Sequence, residues 1–137
     1  MYASRQSAEQ YRKVGATSSI LEADPRKLVQ LLLEGASSRL RLAIAHMERD
    51  DQAAKGKAIG RVCDIIGHLA SSLEHQSGGQ IADNLAALYD YILLRITRGN
   101  LDNDRQTLEE ALDLLGQIES AWSAMPAAHH PANGASA

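Results

Sequence analysis

The chain contains 137 residues, with 14 lysines and arginines against 17 aspartates and glutamates, so its formal net charge is −3. This length suits one domain with a substantial core, and the acidic balance argues against nucleic acid as a partner. The single cysteine, Cys63, excludes an internal disulfide and fits a reducing compartment.

The first helical signal follows a polar N-terminal segment. Residues 1–23 carry only scattered apolar side chains, and we expect a mobile, partly ordered arm there. Asp24 then supplies an N-cap oxygen, and Pro25 fits the first helical position. Apolar residues recur with helical spacing from there to about Glu48, which predicts the first helix.

Acidic residues and glycines predict the next boundaries. Asp51 breaks the first helix and favours the start of a second, which we expect to run to about His75. The double glycine Gly78-Gly79 forms the following turn, and a third helix should run to about Arg98. Gly99-Asn100 is predicted to cap that helix in a left-handed conformation.

The fourth predicted helix begins within residues 102–104 and ends near Met125, because Pro126 cannot continue it. Short loops make successive helices antiparallel neighbours, so the sequence predicts an all-α, up-down-up-down four-helix bundle. The expected organisation is an arm over residues 1–23, the bundle over 24–125 and a disordered tail over 126–137.

The first predicted helix carries more apolar side chains than one interior needs. On a helical wheel, the stripe that suits the core comprises Val29, Leu33, Ala36, Leu40, Ala43 and Met47. A second stripe comprises Leu28, Leu31, Gly35, Ser38, Leu42 and Ala45. The remaining polar arc comprises Gln30, Glu34, Ser37, Arg41 and Glu48. The second stripe either touches a neighbouring helix and the arm or forms part of a groove for a partner chain.

The second predicted helix has one core stripe and a neighbouring line of small residues. The core stripe comprises Ile59, Val62, Ile66, Leu69 and Leu73. The small-residue seam comprises Gly60, Gly67 and Ser71. Such a seam permits close approach of another helix, which belongs either to this chain or to a ligand.

The third and fourth predicted helices each show a core stripe. The stripe of the third comprises Ile81, Leu85, Leu88 and Ile92, flanked by Tyr89 and Ile96 on one side and by Asn84 and Tyr91 on the other. The stripe of the fourth comprises Leu108, Leu112, Leu115, Ile118 and Trp122. An amide beside an apolar stripe needs hydrogen-bond partners, so Asn84 binds either a neighbouring loop carbonyl or the backbone of a bound peptide.

The sequence carries no recognisable catalytic or metal-binding pattern. A di-metal site in a helical bundle needs Glu-x-x-His pairs, and none occurs; His46 and His68 are expected at the surface. No glycine-rich phosphate loop, nucleophile elbow, signal-peptide core or run of roughly 18 apolar residues is present. We therefore expect a cytoplasmic protein that is not an enzyme, has no cofactor, metal or small-molecule substrate, and does not insert into a membrane.

Several motifs resemble those of the flagellar secretion chaperone FliS family, across roughly residues 11–122. The most specific motif is Ser77-Gly78-Gly79-x-Ile81-Ala82-x-Asn84-Leu85-x-x-Leu88-Tyr89-x-Tyr91-Ile92. The others are Tyr11 with Val14, Asp24-Pro25-x-x-Leu28-Val29-x-x-Leu32-x-Glu34-Gly35-Ala36, Asn100, Leu108-Glu109-Glu110 and Ala121-Trp122. The chain departs from the family at Leu33, where the family often has tyrosine.

The resemblance implies an antiparallel helical bundle that binds newly made flagellin in the cytoplasm. Such a chaperone holds the disordered C-terminal segment of flagellin, prevents premature polymerisation and delivers the subunit to the flagellar type III export gate. The resemblance also implicates the arm bearing Tyr11 as part of the flagellin site or as a cover over it. The predicted flagellin-binding residues are Tyr11, Val14, Leu28, Leu31, Gly35, Leu42, Asn84, Leu88 and Tyr91. The alternative is a helical adaptor that scaffolds folded partners.

Overall fold

Four antiparallel helices make up the part of the chain that the computed structural model describes, residues 24–73 and 79–125. They are α1 (Pro25–Glu48), α2 (Gln52–Ser72), α3 (Gln80–Leu101) and α4 (Arg105–Ala124). Helix α1 packs against α2 and α4, and α3 packs against the same two helices. The predicted all-α four-helix bundle is therefore confirmed. The predicted arm, the predicted tail and the expected end of α2 at His75 lie outside the described residues.

Aspartate side chains begin three of the four helices, as predicted. Asp24 and Asp51 each accept a hydrogen bond at 3.1 Å from the backbone N–H three residues further on. Asp104 caps α4, accepting from the hydroxyl of Thr107 at 2.8 Å and from its backbone N–H at 3.4 Å. These hydrogen bonds, above all the one from the hydroxyl, lower the pKa of the Asp104 carboxyl, because they favour its charged form.

The end of α3 differs from the prediction. The helix continues past Gly99 to Leu101, and the left-handed residue of the following turn is Asn103, with φ of 51°. Gly99 is buried within the helix, where an added Cβ would lie 2.8 Å from Cδ2 of Leu108 and 3.3 Å from the carbonyl oxygen of Asp104. The predicted left-handed cap at Gly99 is therefore wrong. Close approach of α4, and not backbone conformation, is what requires a glycine there.

A buried lysine fastens this turn to α2. Nζ of Lys55 donates to the carbonyl oxygen of Asn100 at 3.1 Å and to Oδ1 of Asn103 at 2.9 Å. Burying a charge is unfavourable unless hydrogen bonds replace those to water, and these two bonds do so in part. They also hold Asn103 in the left-handed conformation, which short polar side chains tolerate. The start of α2 and the α3–α4 turn are thereby joined.

The predicted core stripes of α1, α2 and α4 are largely confirmed. Every residue of the α1 stripe is buried, as are Ile59, Val62, Ile66 and Leu69 of α2 and Leu108, Leu115 and Ile118 of α4. The remaining members of the α2 and α4 stripes are Leu73, Leu112 and Trp122, which are half-buried and pack against this core. Helical periodicity therefore identified most of the interior of three helices.

The predicted core stripe of α3 is wrong at its start. Ile81 is 80% exposed, and Leu85 and Leu88 are only half-buried. Tyr89 and Ile96, predicted on the flank, are buried instead. Burial raises the pKa of Tyr89 to about 12, so its hydroxyl stays neutral at physiological pH. The buried face of α3 is thus rotated toward that flank and begins only at Tyr89, near the middle of the helix.

The interface between α1 and α4 contains polar contacts. Ser37, predicted on the polar arc, is buried, and its hydroxyl donates to Oε1 of Glu119 at 3.2 Å. Nε1 of Trp122 donates to the carbonyl oxygen of Arg26 at 3.2 Å, and the Arg26 guanidinium donates to the carbonyl oxygen of Met125. Because these bonds join the start of α1 to the end of α4, the two helices run antiparallel. Trp122 closes this end of the bundle, as predicted.

The small-residue seam of α2 faces open space. Gly60 and Gly67 are exposed, and a Cβ added to either would meet no atom within 4 Å. Ser71 is exposed as well. Of the two alternatives, packing of another helix of this chain on the seam is therefore excluded for the described residues.

Candidate partner-binding grooves

Helix α1 presents a line of apolar residues beside α2. Leu28, Gly35 and Leu42 are seven residues apart, so they share one face of the helix. A Cβ on Gly35 would lie 3.7 Å from Cδ1 of Ile65, which places this line where α1 meets α2. Leu28 is half-buried, but Leu42 is 45% exposed, and Leu31 beside the line is 40% exposed. Apolar surface therefore remains on α1 after its core stripe is complete.

An open groove of about 270 Å³ continues this line between α1 and α2. It is lined by Arg39, Leu42 and His46 of α1 and by Ala54, Lys57, Ala58 and Arg61 of α2. Together with Leu31 and Gly35, these residues are called the α1/α2 groove below. His46, expected at the surface, is half-buried, and its Nδ1 is buried without a hydrogen-bond partner among the described residues.

A second surface lies between α3 and α4. Asn84, Leu88 and Tyr91 follow one another at spacings of four and three residues along one face of α3. The exposed Tyr91 donates its hydroxyl to Oε1 of Glu110 on α4 at 3.3 Å, and Nε of Arg95 pairs with the same oxygen at 2.6 Å. Leu88 packs in part against the core. These five residues are called the α3/α4 groove below.

The structure brings the predicted site residues together in two groups. The group beside α2 comprises Leu28, Leu31, Gly35 and Leu42. The group beside α4 comprises Asn84, Leu88 and Tyr91. Because α1 and α3 each pack against both α2 and α4, the two groups lie on opposite sides of the bundle. Tyr11 and Val14 lie outside the described residues. A single partner that touches both groups has to pass around the molecule.

Asn84 does not require the hydrogen-bond partner that the wheel predicts. The residue is exposed, so water can satisfy its amide. The argument from burial, which pointed either to a loop carbonyl or to a bound peptide, therefore no longer applies. Asn84 remains a candidate contact only because it shares a face with Leu88 and Tyr91.

The first half of α3 contributes a candidate contact that sequence reasoning missed. No residue of α3 before Tyr89 is buried, and Ile81 is the most exposed large apolar residue among those described. The wheel assigned Ile81 to the core because a wheel records direction and not whether a neighbouring helix reaches that level. Its position two residues after Gly79, in the first turn, is the signal that could have identified it.

The cations of the α1/α2 groove were also missed. Lys57 and Arg61 are four residues apart on α2, and Arg39 is three residues before Leu42 on α1. Each helix alone shows only an ordinary polar flank. The cations become one site only when α1 and α2 pack side by side.

The remaining features of the described residues suggest no reaction chemistry. A third groove, between α1 and α4, is lined by Arg41, Glu109, Leu112, Asp113, Gly116, Gln117 and Ser120. Within 24–73 and 79–125, no cluster of His, Cys, Asp and Glu is placed to hold a metal, and no helix has the length and apolar character of a membrane span. Burial, and to a lesser extent Asp64, raises the pKa of the Cys63 thiol, which therefore stays protonated and unreactive.

The fold defines an antiparallel four-helix bundle that leaves large apolar side chains exposed on α1 and α3. A family model described as "Flagellar protein FliS" matches residues 7–129. The chain is 39% identical over 126 residues to the flagellar secretion chaperone FliS of Vibrio cholerae, across 92% of this chain and 93% of that protein. It is 40% identical over 113 residues to FliS of Salmonella typhimurium, across 82% and 84% of the two chains.

A third relative, the flagellar secretion chaperone FliSB of Pseudomonas aeruginosa, is 38% identical over 122 residues, across 89% of this chain and 96% of that protein. The chain therefore belongs to the FliS family of flagellar secretion chaperones. This is a family of chaperones and not of enzymes.

Proposed function

We propose that this chaperone binds the disordered C-terminal segment of flagellin in the cytoplasm, prevents its premature polymerisation and delivers it to the flagellar type III export gate. The observation that carries the proposal is that Leu31 and Leu42 stay exposed on α1, although the core stripe of that helix is complete. Apolar surface of this kind is typical of partner-binding sites. Membership of the FliS family supports the flagellar setting.

The position of the two grooves favours a disordered client over a folded one. A folded partner contacts mainly one side of the bundle, whereas a disordered chain can wrap a large surface and reach both sides. Such a chain loses conformational entropy on binding, which costs about 2–5 kcal/mol or more. Burial of its apolar side chains against the α1/α2 and α3/α4 grooves offsets that cost. The alternative, an adaptor for folded partners, needs only one of the two surfaces.

Replacing both Leu31 and Leu42 with glutamine should weaken binding of a flagellin C-terminal peptide by about tenfold or more, because two apolar contacts are lost. Glutamine is of similar length and favours helix, so the bundle should remain folded. Isothermal titration calorimetry measures the affinity. Circular dichroism on mixing should show helix gained by the peptide.

Leu94→Gln is the matched control for this pair. Leu94 is 69% exposed on α3 and lies outside both grooves, so its replacement should leave peptide affinity unchanged. Normal binding by the folded double variant would contradict the α1/α2 groove as the flagellin site. Capture of a folded partner, with no helix gained on mixing with flagellin peptide, would favour the adaptor instead.

The arm over residues 1–23 is proposed to cover the binding surface before flagellin arrives, with Tyr11 and Val14 as its contacts. Deleting residues 1–20 should then tighten flagellin binding several-fold, because competition is removed, and should lower the solubility of the free chaperone, because apolar surface is uncovered. Calorimetry and light scattering against the full-length chain measure the two effects. Unchanged affinity and solubility, or weaker binding, would contradict a competing arm.

A further inference from the structure

The α1/α2 groove is lined by cations on both sides. Arg39 comes from α1, and Lys57 and Arg61 come from α2. Among the described residues, no aspartate or glutamate lines this groove. By contrast, the α1/α4 groove combines one arginine with two carboxylates. The α1/α2 groove is therefore a positive surface on a chain whose formal net charge is −3.

These cations are not neutralised within the bundle. The salt bridges found in 24–73 and 79–125 involve only Arg95 and Arg105 on the basic side. Arg39, Lys57 and Arg61 therefore have no carboxylate partner there. Like charges gathered in one groove repel each other and attract a ligand of opposite charge, and salt screens both effects over about 8 Å at physiological ionic strength.

The groove also has an apolar floor, formed by Leu42, Ala54 and Ala58. Proteins that bind single-stranded nucleic acid stack its bases on aromatic rings, and no Phe, Tyr or Trp of the described residues lines this groove. An amphipathic helix instead needs an apolar floor between charged rims.

The chain's own outlying segments do not have the charge that this groove would attract. Residues 1–23 contain three cations and two carboxylates, namely Arg5, Arg12 and Lys13 with Glu9 and Glu22. Residues 126–137 contain neither aspartate nor glutamate. The charge of the groove therefore points to another protein as its occupant.

We propose that the α1/α2 groove binds an amphipathic helix that carries aspartate or glutamate on its flanks, opposite Arg39, Lys57 and Arg61, and an apolar stripe against the floor. This inference rests on the proposed function, because it states the charge that the client's docking segment carries. Apolar burial supplies most of the affinity, and the cations select the partner and its orientation. A neutral helix with the same stripe binds more weakly, and a basic one more weakly still.

Three synthetic peptides of about 20 residues, long enough to form a helix on the groove, test this on the full-length chain. They share one leucine stripe and carry glutamate, glutamine or lysine on both flanks. By fluorescence anisotropy at low salt, the glutamate peptide should bind about tenfold more tightly than the glutamine peptide, and the lysine peptide should bind most weakly. The difference in affinity between the glutamate and glutamine peptides should decrease at about 0.5 M salt, where screening is stronger.

Arg61→Glu should weaken binding of the glutamate peptide by about tenfold. The matched control Arg98→Glu makes the same charge change at an exposed position of α3 outside the groove and should have no effect. Equal affinity for the three peptides, or equal effects of the two variants, would overturn the inference. Tighter binding of a polyuridine RNA, or a peptide-independent self-association that Arg61→Glu abolishes, would assign the groove to another occupant and also overturn it.

The flagellin C-terminal peptide separates this inference from the proposed function. If wild-type protein binds that peptide but neither salt nor Arg61→Glu changes the affinity, the charge requirement is wrong and the proposed function stands. If wild-type protein binds the glutamate peptide but not the flagellin peptide, the proposed function is wrong and the groove chemistry stands.

Discussion

Replacing Leu33 with alanine is expected to lower the free energy of unfolding by about 2–5 kcal/mol. Leu33 has no exposed surface and lies in the core stripe of α1, so the shorter side chain leaves a cavity that the neighbouring helices fill only in part. Urea denaturation followed by far-ultraviolet circular dichroism measures the loss. The matched variant Leu94→Ala removes the same atoms from an exposed site and should change the free energy by less than about 0.5 kcal/mol.

Equal losses in these two variants would contradict the core assigned to α1. The result also bears on function, because α1 carries both a core stripe and the exposed Leu31 and Leu42. Variants on the exposed side should reduce binding without unfolding the bundle. Variants in the core stripe should destabilise the bundle itself. A loss of binding in such a variant would follow from unfolding and would not identify a contact with the client.

Replacement by alanine is expected to have opposite effects on stability at two helical glycines, Gly99 and Gly60. Gly99→Ala should lower the free energy of unfolding. Overpacking costs about 1–3 kcal/mol, which exceeds the roughly 0.5–1 kcal/mol by which alanine stabilises a helix relative to glycine. An added Cβ would lie 2.8 Å from the side chain of Leu108, which is itself fully buried, and 3.3 Å from the backbone carbonyl oxygen of Asp104. Gly60→Ala should instead stabilise the protein by about 0.5–1 kcal/mol.

Gly60 supplies the matched control because no atom lies within 4 Å of a Cβ built there. Urea denaturation of both variants measures whether each substitution raises or lowers the free energy of unfolding. A change of the same sign in both would contradict the close approach of α4 to Gly99. A stabilised Gly60→Ala protein would also agree with the open space that the described residues leave beside the seam of α2.

The two grooves explain how a stable bundle can keep surface for a partner. Helix α1 directs one complete stripe into the core and a second, partly exposed stripe toward the junction with α2. Residues that fold the protein and residues that would bind a client are therefore different residues on the same helix. We expect such a chaperone to remain folded before it meets flagellin, with both grooves already formed on opposite sides of the bundle.

Much of the fold could be predicted because its signals are local. An aspartate oxygen at an N-cap bonds to an N–H three residues away, so Asp24 and Asp51 identify helix starts without knowledge of the rest of the chain. Helical period likewise assigns a direction to each side chain, and four helices with short loops have few arrangements open to them. The same reasoning identified the second stripe of α1, which includes Leu31 and Leu42, but left open whether a neighbouring helix and the arm cover it.

What the sequence alone determined is therefore the number of helices, most of their ends, and the core stripes of α1, α2 and α4. For the second stripe of α1, it left burial and exposure open. Only the tertiary structure decided that Ile81 is exposed, that Gly99 is buried against α4, and that the predicted site divides into two grooves with a cationic rim on one. The physical reason is that periodicity fixes the direction of a side chain along its own helix. Which neighbouring helix lies there, at what level and with what charge, depends on residues distant in the chain.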